Sequence, residues 1–259
     1  MSELNVNGER AVALEVRSLK GQYIVNDLSF SIAKKGIHGI LAPMGAGKTE
    51  LLDIISGSRD AVGGGVRLFG KEVSSSDLSV KKKIGYVPEY SCLYSDMTVL
   101  EIMSFVGESK GVESGKLIRQ IKEALELTDL YDSRDRLVGR LTEYDKKKLA
   151  LSAALLGNPE IILVDEPVAK KMSGERQSEI MGILSMLGKM KTIIIATQIY
   201  GVAKELCEDV VILSDGKLVC AGTFEALEEK LRAAEGNKAT LEQLYESIAS
   251  YSSSNKKTS

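Results

Sequence analysis

Ile37-His-Gly-Ile-Leu41, followed by Ala42-Pro-Met-Gly-Ala-Gly-Lys-Thr49, is the stretch that decides the fold. A short apolar run ends in a glycine-containing loop, and Thr49–Ile55 then reads as a helix stopped near Gly57. A strand–loop–helix unit bearing Gly-x-x-x-x-Gly-Lys-Ser/Thr is the phosphate-cradling P-loop, here with Ala42 in place of the first glycine. Gly45 and Gly47 let backbone N–H groups curl toward an anion without Cβ obstruction. Lys48 can reach the terminal phosphates, Thr49 offers a hydroxyl to Mg²⁺, and the following helix points its positive end at the phosphates. Pro43, Met44 and Ala46 complete the loop, and Glu50 follows it. The loop therefore calls for a nucleoside triphosphate.

Downstream, Ile161-Ile-Leu-Val164 reads as a buried strand delivering Asp165 and Glu166 at its C-terminal tip, before Pro167. Open α/β sheets bind ligands at that end. Asp165 suits a Mg²⁺ ligand, direct or through water, and Glu166 suits a general base polarising water. Alone, an Asp-Glu-Pro at a strand end is as readily a turn; paired with a P-loop it reads as a site.

The rest of the chain alternates in the same style. Ala11–Val16 and Ile24–Ile32 alternate apolar and polar residues as half-buried strands do, and Val66–Phe69 and Ile84–Val87 are further short strands. From about Tyr90 to Asn158 the pattern turns helical: Thr98-Val-Leu-Glu101 fits a capping box, Leu117, Ile121, Ala124 and Leu125 share one helical face, and Thr142–Leu156 forms another helix. Strands return at Ile161–Val164, Thr192–Ala196 and Val210–Leu213, and Ser214-Asp-Gly-Lys217 is a hairpin turn. The expected fold is α/β, with a mixed, mainly parallel sheet and an inserted helical subdomain. The expected division is a core of residues 1–89 and 159–225, helical residues 90–158, and a C-terminal part, 226–259, with a helix at Thr240–Ile248. Ser250–Ser259 is Ser/Lys-rich and expected to be disordered.

With 259 residues, the chain can bury a sizeable core. Its 34 basic and 36 acidic residues leave a net charge of -2, which gives no pull toward nucleic acid. The runs Lys81–Lys83 and Lys146–Lys148 are read as solvated helix faces. Met1 to Arg10 lacks a signal peptide's apolar core, no apolar run approaches the ~20 residues that span a bilayer, and Cys92, Cys207 and Cys220 form no Cys-x-x-Cys pair, so a reduced, cytosolic protein is expected. The single histidine, His38, lies in an apolar stretch and reads as structural.

Taken in order, these elements resemble the ATP-binding cassette (ABC) family from Leu14 to Leu244. The stretch Ile84-Gly-Tyr-Val-Pro-Glu89, Leu93-Tyr94 and Met97-Thr-Val-Leu-Glu101 is similar to the loop of export-type ATPases in which a Gln or Glu touches Mg²⁺; Gly157-Asn-Pro-Glu160 ahead of Leu163-Val-Asp-Glu-Pro167 is equally family-like. The resemblance implies a P-loop NTPase (RecA-like) core, ATP and Mg²⁺ as ligands with Thr49, Glu89 and Asp165 at the metal, and two copies sandwiching two ATP molecules. It also implies a separate integral-membrane permease, with the chain cytoplasmic and peripheral at the inner face of the membrane, docked near Glu89–Tyr94. Tyr23 is near the position of the adenine-stacking aromatic, with Lys20 competing for it.

Four positions depart from the family pattern. The signature Leu-Ser-Gly-Gly-Gln is replaced by Leu141-Thr-Glu-Tyr-Asp145, where Thr142 and Asp145 still form a plausible capping box. A carboxylate ~6 Å from a phosphate charge costs about 3 kcal/mol at an effective dielectric of ~20, so Glu143 opposes phosphate there. The loop after Pro167 reads Val168-Ala-Lys-Lys-Met172, the switch histidine after Thr197 is Gln198, and Glu50 places a negative charge near the α-phosphate. Gln198 can donate a hydrogen bond but carries no proton. The expectation is retained ATP·Mg²⁺ binding with slow hydrolysis, as a homodimer or as a heterodimer with a second ABC ATPase. The alternative is a non-catalytic nucleotide sensor or scaffold, which leaves Glu166 unexplained.

Overall fold

The computed structural model describes residues 11–90, 93–169, 171–235 and 240–255. The segment 1–10, Cys92, Lys170 and residues 256–259, all part of the sequence reading, lie outside them. In chain order the elements are β1 (Val12–Lys20), β2 (Leu28–Ala33), β3 (Gly36–Leu41), α1 (Lys48–Ile55), β4 (Gly63–Leu68), β5 (Lys71–Glu72), α2 (Leu78–Lys81) and β6 (Ile84–Val87). There follow α3 (Val99–Ser109), α4 (Ser114–Leu127), α5 (Glu143–Leu155), β7 (Ile161–Asp165), α6 (Gly174–Gly188), β8 (Thr192–Thr197), α7 (Tyr200–Leu206), β9 (Asp209–Ser214), β10 (Lys217–Gly222), α8 (Phe224–Glu235) and α9 (Leu241–Asn255).

Two sheets form rather than one. The larger has the order β10-β9-β3-β8-β7-β6, with β9 through β6 parallel and β10 antiparallel at the edge. Its central strands β3, β7 and β8 are buried at every residue, as a strand covered on both faces must be. The smaller sheet, β2-β1-β4-β5, is antiparallel. Its apolar face (Leu14, Val16, Leu28, Phe30) shares a core with Leu51, Leu52 and Ile55 of α1. The strand expected from Ile24 begins only at Leu28, because the N–H groups of Tyr23, Ile24 and Val25 are taken by the Glu50 carboxylate instead of a ladder. The turn at Asp215-Gly216 has positive φ at both residues, as the Asp-Gly pair requires.

The helical segment has its own core, in which Ile102, Met103, Leu117, Leu125 and Leu149 meet. Thr98 and Glu101 cap α3 reciprocally. The opposite side of α5, with Ala150, Leu151 and Ala154, packs into the core under the parallel sheet, so this helix is buried on nearly all faces. Gly85 of β6 permits that approach: a Cβ there would lie 2.5 Å from the Ala154 carbonyl oxygen.

Two expectations need correction. Lys147 and Lys148 do not belong to a solvated face; both are buried, because α5 has no polar stripe for them to join. The final helix does not stop at Ile248: α9 continues to Asn255, through the first six residues expected to be disordered. Ser247 and Ser250 bond back to carbonyls of the preceding turn, which lets serine-rich sequence stay helical. Among the described residues, no helix is long and apolar enough to cross a membrane.

Candidate nucleotide-binding site

The site is built from four neighbouring strand tips. β3, β8, β7 and β6 are adjacent and parallel, with Leu41 paired to Thr197, Asp165 to Ala196 and Val87 to Val164. Their C-terminal ends lead respectively into the P-loop, Gln198, Asp165–Glu166 and Glu89. Residues about 30 to 160 positions apart in sequence thus share the C-terminal end of one sheet, the end at which such folds bind ligands.

Gly45 (φ 72) and Gly47 (φ 97) adopt the left-handed conformation, and Gly47 is the N-cap of α1. Ala42 is not among the positive-φ residues, and its N–H donates to the Thr197 carbonyl (3.1 Å), so its methyl group introduces no backbone strain. Pro43 and Ala46 are buried, while Met44, Gly45 and Thr49 are exposed. The Gly216 N–H donates to the Ala46 carbonyl (3.2 Å), bracing the loop from the β9–β10 turn. The loop faces a cleft of about 420 Å³ lined by Tyr23, Gly47, Lys48, Thr49, Glu89 and Gln198, among others.

Inside the cleft the charges interlock. Lys48 Nζ donates to the carbonyls of Ala42 (2.9 Å) and Pro43 (3.1 Å) and lies 3.3 Å from Glu166 Oε1. Thr49 Oγ1 donates to Asp165 Oδ2 (2.7 Å). Among the described residues, Asp165 Oδ1 is buried and has no hydrogen-bond partner. Burial raises the Asp165 carboxyl above its ordinary range, with Glu166 and Glu89 adding to the effect and Thr49 opposing it. A cation at Oδ1 would relieve both the orphaned oxygen and the crowded negative charge. Among the described residues no group of three or more His, Cys, Asp or Glu forms a metal cage. An ion held here would share its ligands with phosphate, as Mg²⁺ does.

Glu166 has φ 44, a left-handed conformation costing about 1–2 kcal/mol for a residue with a side chain. Its carboxylate accepts from Thr197 Oγ1 (3.0 Å) and the Gln198 N–H (3.1 Å), and its own N–H donates to the Ala196 carbonyl (2.8 Å). The candidate base is therefore fastened to the end of β8, where half-buried Gln198 stands.

Glu50 departs from its expected role. Its carboxylate is buried and engaged by backbone: it accepts from the N–H groups of Tyr23 (2.7 Å), Ile24 (2.8 Å) and Val25 (2.9 Å). Burial alone would raise its pKa, but these backbone donors outweigh that and hold it below the ordinary range. Glu50 thus ties the Tyr23 segment to α1. Tyr23 is 69% exposed on the cleft, with the Arg59 guanidinium 5.0 Å from its ring centroid. Lys20, the competing position, pairs with Gly63 at the end of β1.

At the altered signature, the cap expected of Thr142 and Asp145 forms. Thr142 caps α5 by accepting from the Asp145 N–H (3.1 Å), and Glu143 is exposed and paired with Lys146 (2.7 Å). Tyr144, in the first turn of α5, packs inward with Lys148 and Arg176 each 5.1 Å from its ring. The Tyr144 hydroxyl, Lys148 and Arg176 hold the Glu179 carboxyl below its usual range against burial. Lys147 donates to the carbonyls of Pro88 and Asp165 (2.9 Å each), joining α5 to the tips of β6 and β7, and burial lowers its pKa to about 8. Sequence reasoning missed this lysine; the signal was the run Leu149–Leu155 after it, in which Ser152 is the single polar residue. A second cleft of about 470 Å³, lined by Tyr144, Lys147 and Arg176, shares Glu89, Glu166 and Gln198 with the first.

The sequence pattern described as ABC transporter matches residues 25–169. The chain is 28% identical to the uncharacterized ABC transporter ATP-binding protein YxlF of Bacillus subtilis, over 83% of this chain and 70% of that protein. It is 31% identical to the Nod factor export ATP-binding protein I of Burkholderia lata, over 80% of this chain and 68% of that protein. In fold it matches cbiO1 of the cbiONQ transporter complex from Clostridium perfringens (TM-score 0.74, 22% identity, 87% and 96% coverage). It also matches a dimeric post-hydrolysis ATP-binding cassette bound to ADP and Pi (TM-score 0.73, 21% identity, 81% and 98% coverage). With a P-loop, a paired carboxylate strand tip and a helical insertion in these positions, the chain belongs to the ABC transporter family, as one of its ATP-binding subunits.

Proposed function

We propose that this chain binds ATP with Mg²⁺ in the P-loop cleft and couples that binding, with slow hydrolysis, to a separate membrane permease. The observation that carries the reading is the Thr49–Asp165 bond beside an orphaned Asp165 Oδ1, with Lys48 between the loop carbonyls and Glu166. The backbone of Pro43–Thr49 and the Lys48 ammonium hold the phosphates, and Tyr23 offers its ring to the base. Thr49, Asp165 and Glu89 would hold Mg²⁺, which would supply charge neutralisation at the phosphates.

Glu166 is the general base, and Gln198 stands where a proton-carrying histidine is usual. General acid–base assistance is worth about 10²–10⁴-fold, so losing the histidine while keeping Glu166 leaves hydrolysis slow rather than absent. Glu143 and the inward Tyr144 leave α5 without a glycine-lined phosphate site for a second P-loop. A partner ABC ATPase with an intact signature would complete one composite site, and a homodimer would complete neither.

The permease docks beside Glu89–Tyr94, where Tyr90 and Tyr94 are exposed and Tyr94 meets Phe105 edge-on (6.1 Å). That arrangement makes the chain cytoplasmic and peripheral at the inner face of the membrane. Kinship with Nod factor export subunits supports export as its direction.

The test is titration of the purified protein with labelled ATP·Mg²⁺, alongside hydrolysis by the wild type and Glu166→Gln. Binding with slow turnover that Glu166→Gln abolishes is expected. Turnover as fast as an intact cassette ATPase refutes the impairment. Tight binding with no turnover and no dimer transfers the assignment to a nucleotide sensor.

A further inference from the structure

The C-terminal helix α9 lies beyond the stretch matched by the family pattern, yet it reaches the nucleotide site. Its start is fixed by a reciprocal cap: Thr240 Oγ1 accepts the Gln243 N–H (3.2 Å), and Gln243 Oε1 accepts the Thr240 N–H (3.0 Å). That cap aims Leu241 (1% exposed) and Tyr245 (4% exposed) into the core beneath the parallel sheet. The Tyr245 ring stacks on Tyr200 (6.3 Å between centroids), the first residue of α7, and Tyr200 meets Phe224 edge-on (5.9 Å).

The Tyr245 hydroxyl donates to the backbone carbonyl of Gln198 (2.9 Å). On its other side, Gln198 donates its N–H to the Glu166 carboxylate (3.1 Å). Both peptide groups flanking the Gln198 Cα are therefore held, one by the candidate base and one by α9. Fixing both sets the backbone torsions of Gln198, and with them the direction of its side chain and of the N–H on which Glu166 rests. A buried tyrosine needs an acceptor somewhere, but here the acceptor belongs to the residue that stands where the family carries its switch histidine.

We infer that Tyr245 is a positioning residue for the nucleotide site and that α9, through it, tunes Gln198 and Glu166. This inference rests on the proposed role of Glu166. It makes the C-terminal helix a control point: whatever shifts α9 releases the Gln198 carbonyl first and loosens the base behind it.

The test uses the full chain and Tyr245→Phe, which keeps the ring and removes only the donor. Without nucleotide, hydrogen exchange in a peptide covering 193–206 should quicken about fivefold, the factor expected for loss of one hydrogen bond, while α3, α4 and α8 stay unchanged. In hydrolysis, kcat should fall about fivefold with KM and labelled-ATP affinity held within about twofold. Unchanged exchange at 193–206, or faster exchange spread evenly over α7, α8 and α9, overturns the inference. So does a KM change at constant kcat. Should the wild type bind no labelled ATP, the proposed function falls, while the nucleotide-free exchange comparison still decides whether Tyr245 holds Gln198.

Discussion

Replacing Glu50 by Gln tests whether this residue is a structural clasp or a blemish beside the phosphate. The carboxylate uses Oε1 for the Tyr23 N–H and Oε2 for those of Ile24 and Val25. Hydrogen bonds to a charged group contribute about 1.5–3 kcal/mol each and neutral ones about 1, so three charged bonds amount to roughly 6 kcal/mol gross. A glutamine can direct one oxygen at Ile24 and Val25, keeping about 2 kcal/mol, but its NH₂ then faces the Tyr23 N–H, donor against donor. Allowing for the desolvation that the neutral amide escapes, Glu50→Gln should cost about 3–4 kcal/mol, a large share of the 5–15 kcal/mol typical of a folded domain. The chain has no tryptophan, so urea unfolding is followed by far-UV circular dichroism. Because the folded pKa lies below the ordinary 4.5, the carboxylate's contribution is present above that value and fades as pH falls through the folded pKa. The gap between wild type and Glu50→Gln should therefore be full at pH 7 and shrink in acid. Labelled ATP should also bind more weakly, since the Tyr23 segment loses its anchor. A Glu50→Gln protein within about 0.5 kcal/mol of wild type at pH 7 refutes the clasp, since that is the size of an ordinary surface change.

Lys110 donates to the carbonyls of Ala154 and Leu156 at the end of α5, and burial lowers its pKa to about 8. Above that pH the native chain has released a proton the unfolded chain still holds, so wild type should gain up to about 3 kcal/mol over Lys110→Met between pH 7.5 and 10; an unchanged difference in urea unfolding refutes this. Asp165→Asn should abolish the Mg²⁺ dependence of labelled-ATP affinity and weaken it roughly 10–100-fold in Mg²⁺; retention of that dependence assigns the ion elsewhere. Tyr144→Gly should cost roughly 2–4 kcal/mol, because the ring fills the space between Lys148 and Arg176. Combined with Glu143→Gly, it should raise ATP-dependent dimerisation by mass photometry; no rise indicates that a partner supplies the working signature.

The sequence made the P-loop and the Asp165–Glu166 strand tip legible because both are local: a few adjacent residues carry the conformation and the chemistry together. Helix faces such as Leu117, Ile121, Ala124 and Leu125 were legible through period, and all four are buried. What stayed hidden are partners at long range. Glu50 meets amides 25 to 27 residues upstream, and Tyr245 meets a carbonyl 47 residues away. A residue type announces neither. Lys147 and Lys148 misled for a related reason, since charge argues for solvent only where a polar face exists to receive it. The separation into two sheets was hidden because alternation fixes which face of a strand is apolar, not which strand lies beside it.

The place of β3 between β8 and β9 has a consequence for the birth of the chain on the ribosome. β3 is buried along its whole length, but both of its sheet neighbours are translated more than half a chain later. At synthesis rates of about 5–20 residues per second, its two edges stay without their partners for roughly 10–30 s. During that interval the P-loop has been made but cannot be shaped, because the Thr197 carbonyl and the Gly216 N–H that brace it do not yet exist. Nascent chains are thus obliged to carry a sticky, unpaired strand through most of their synthesis.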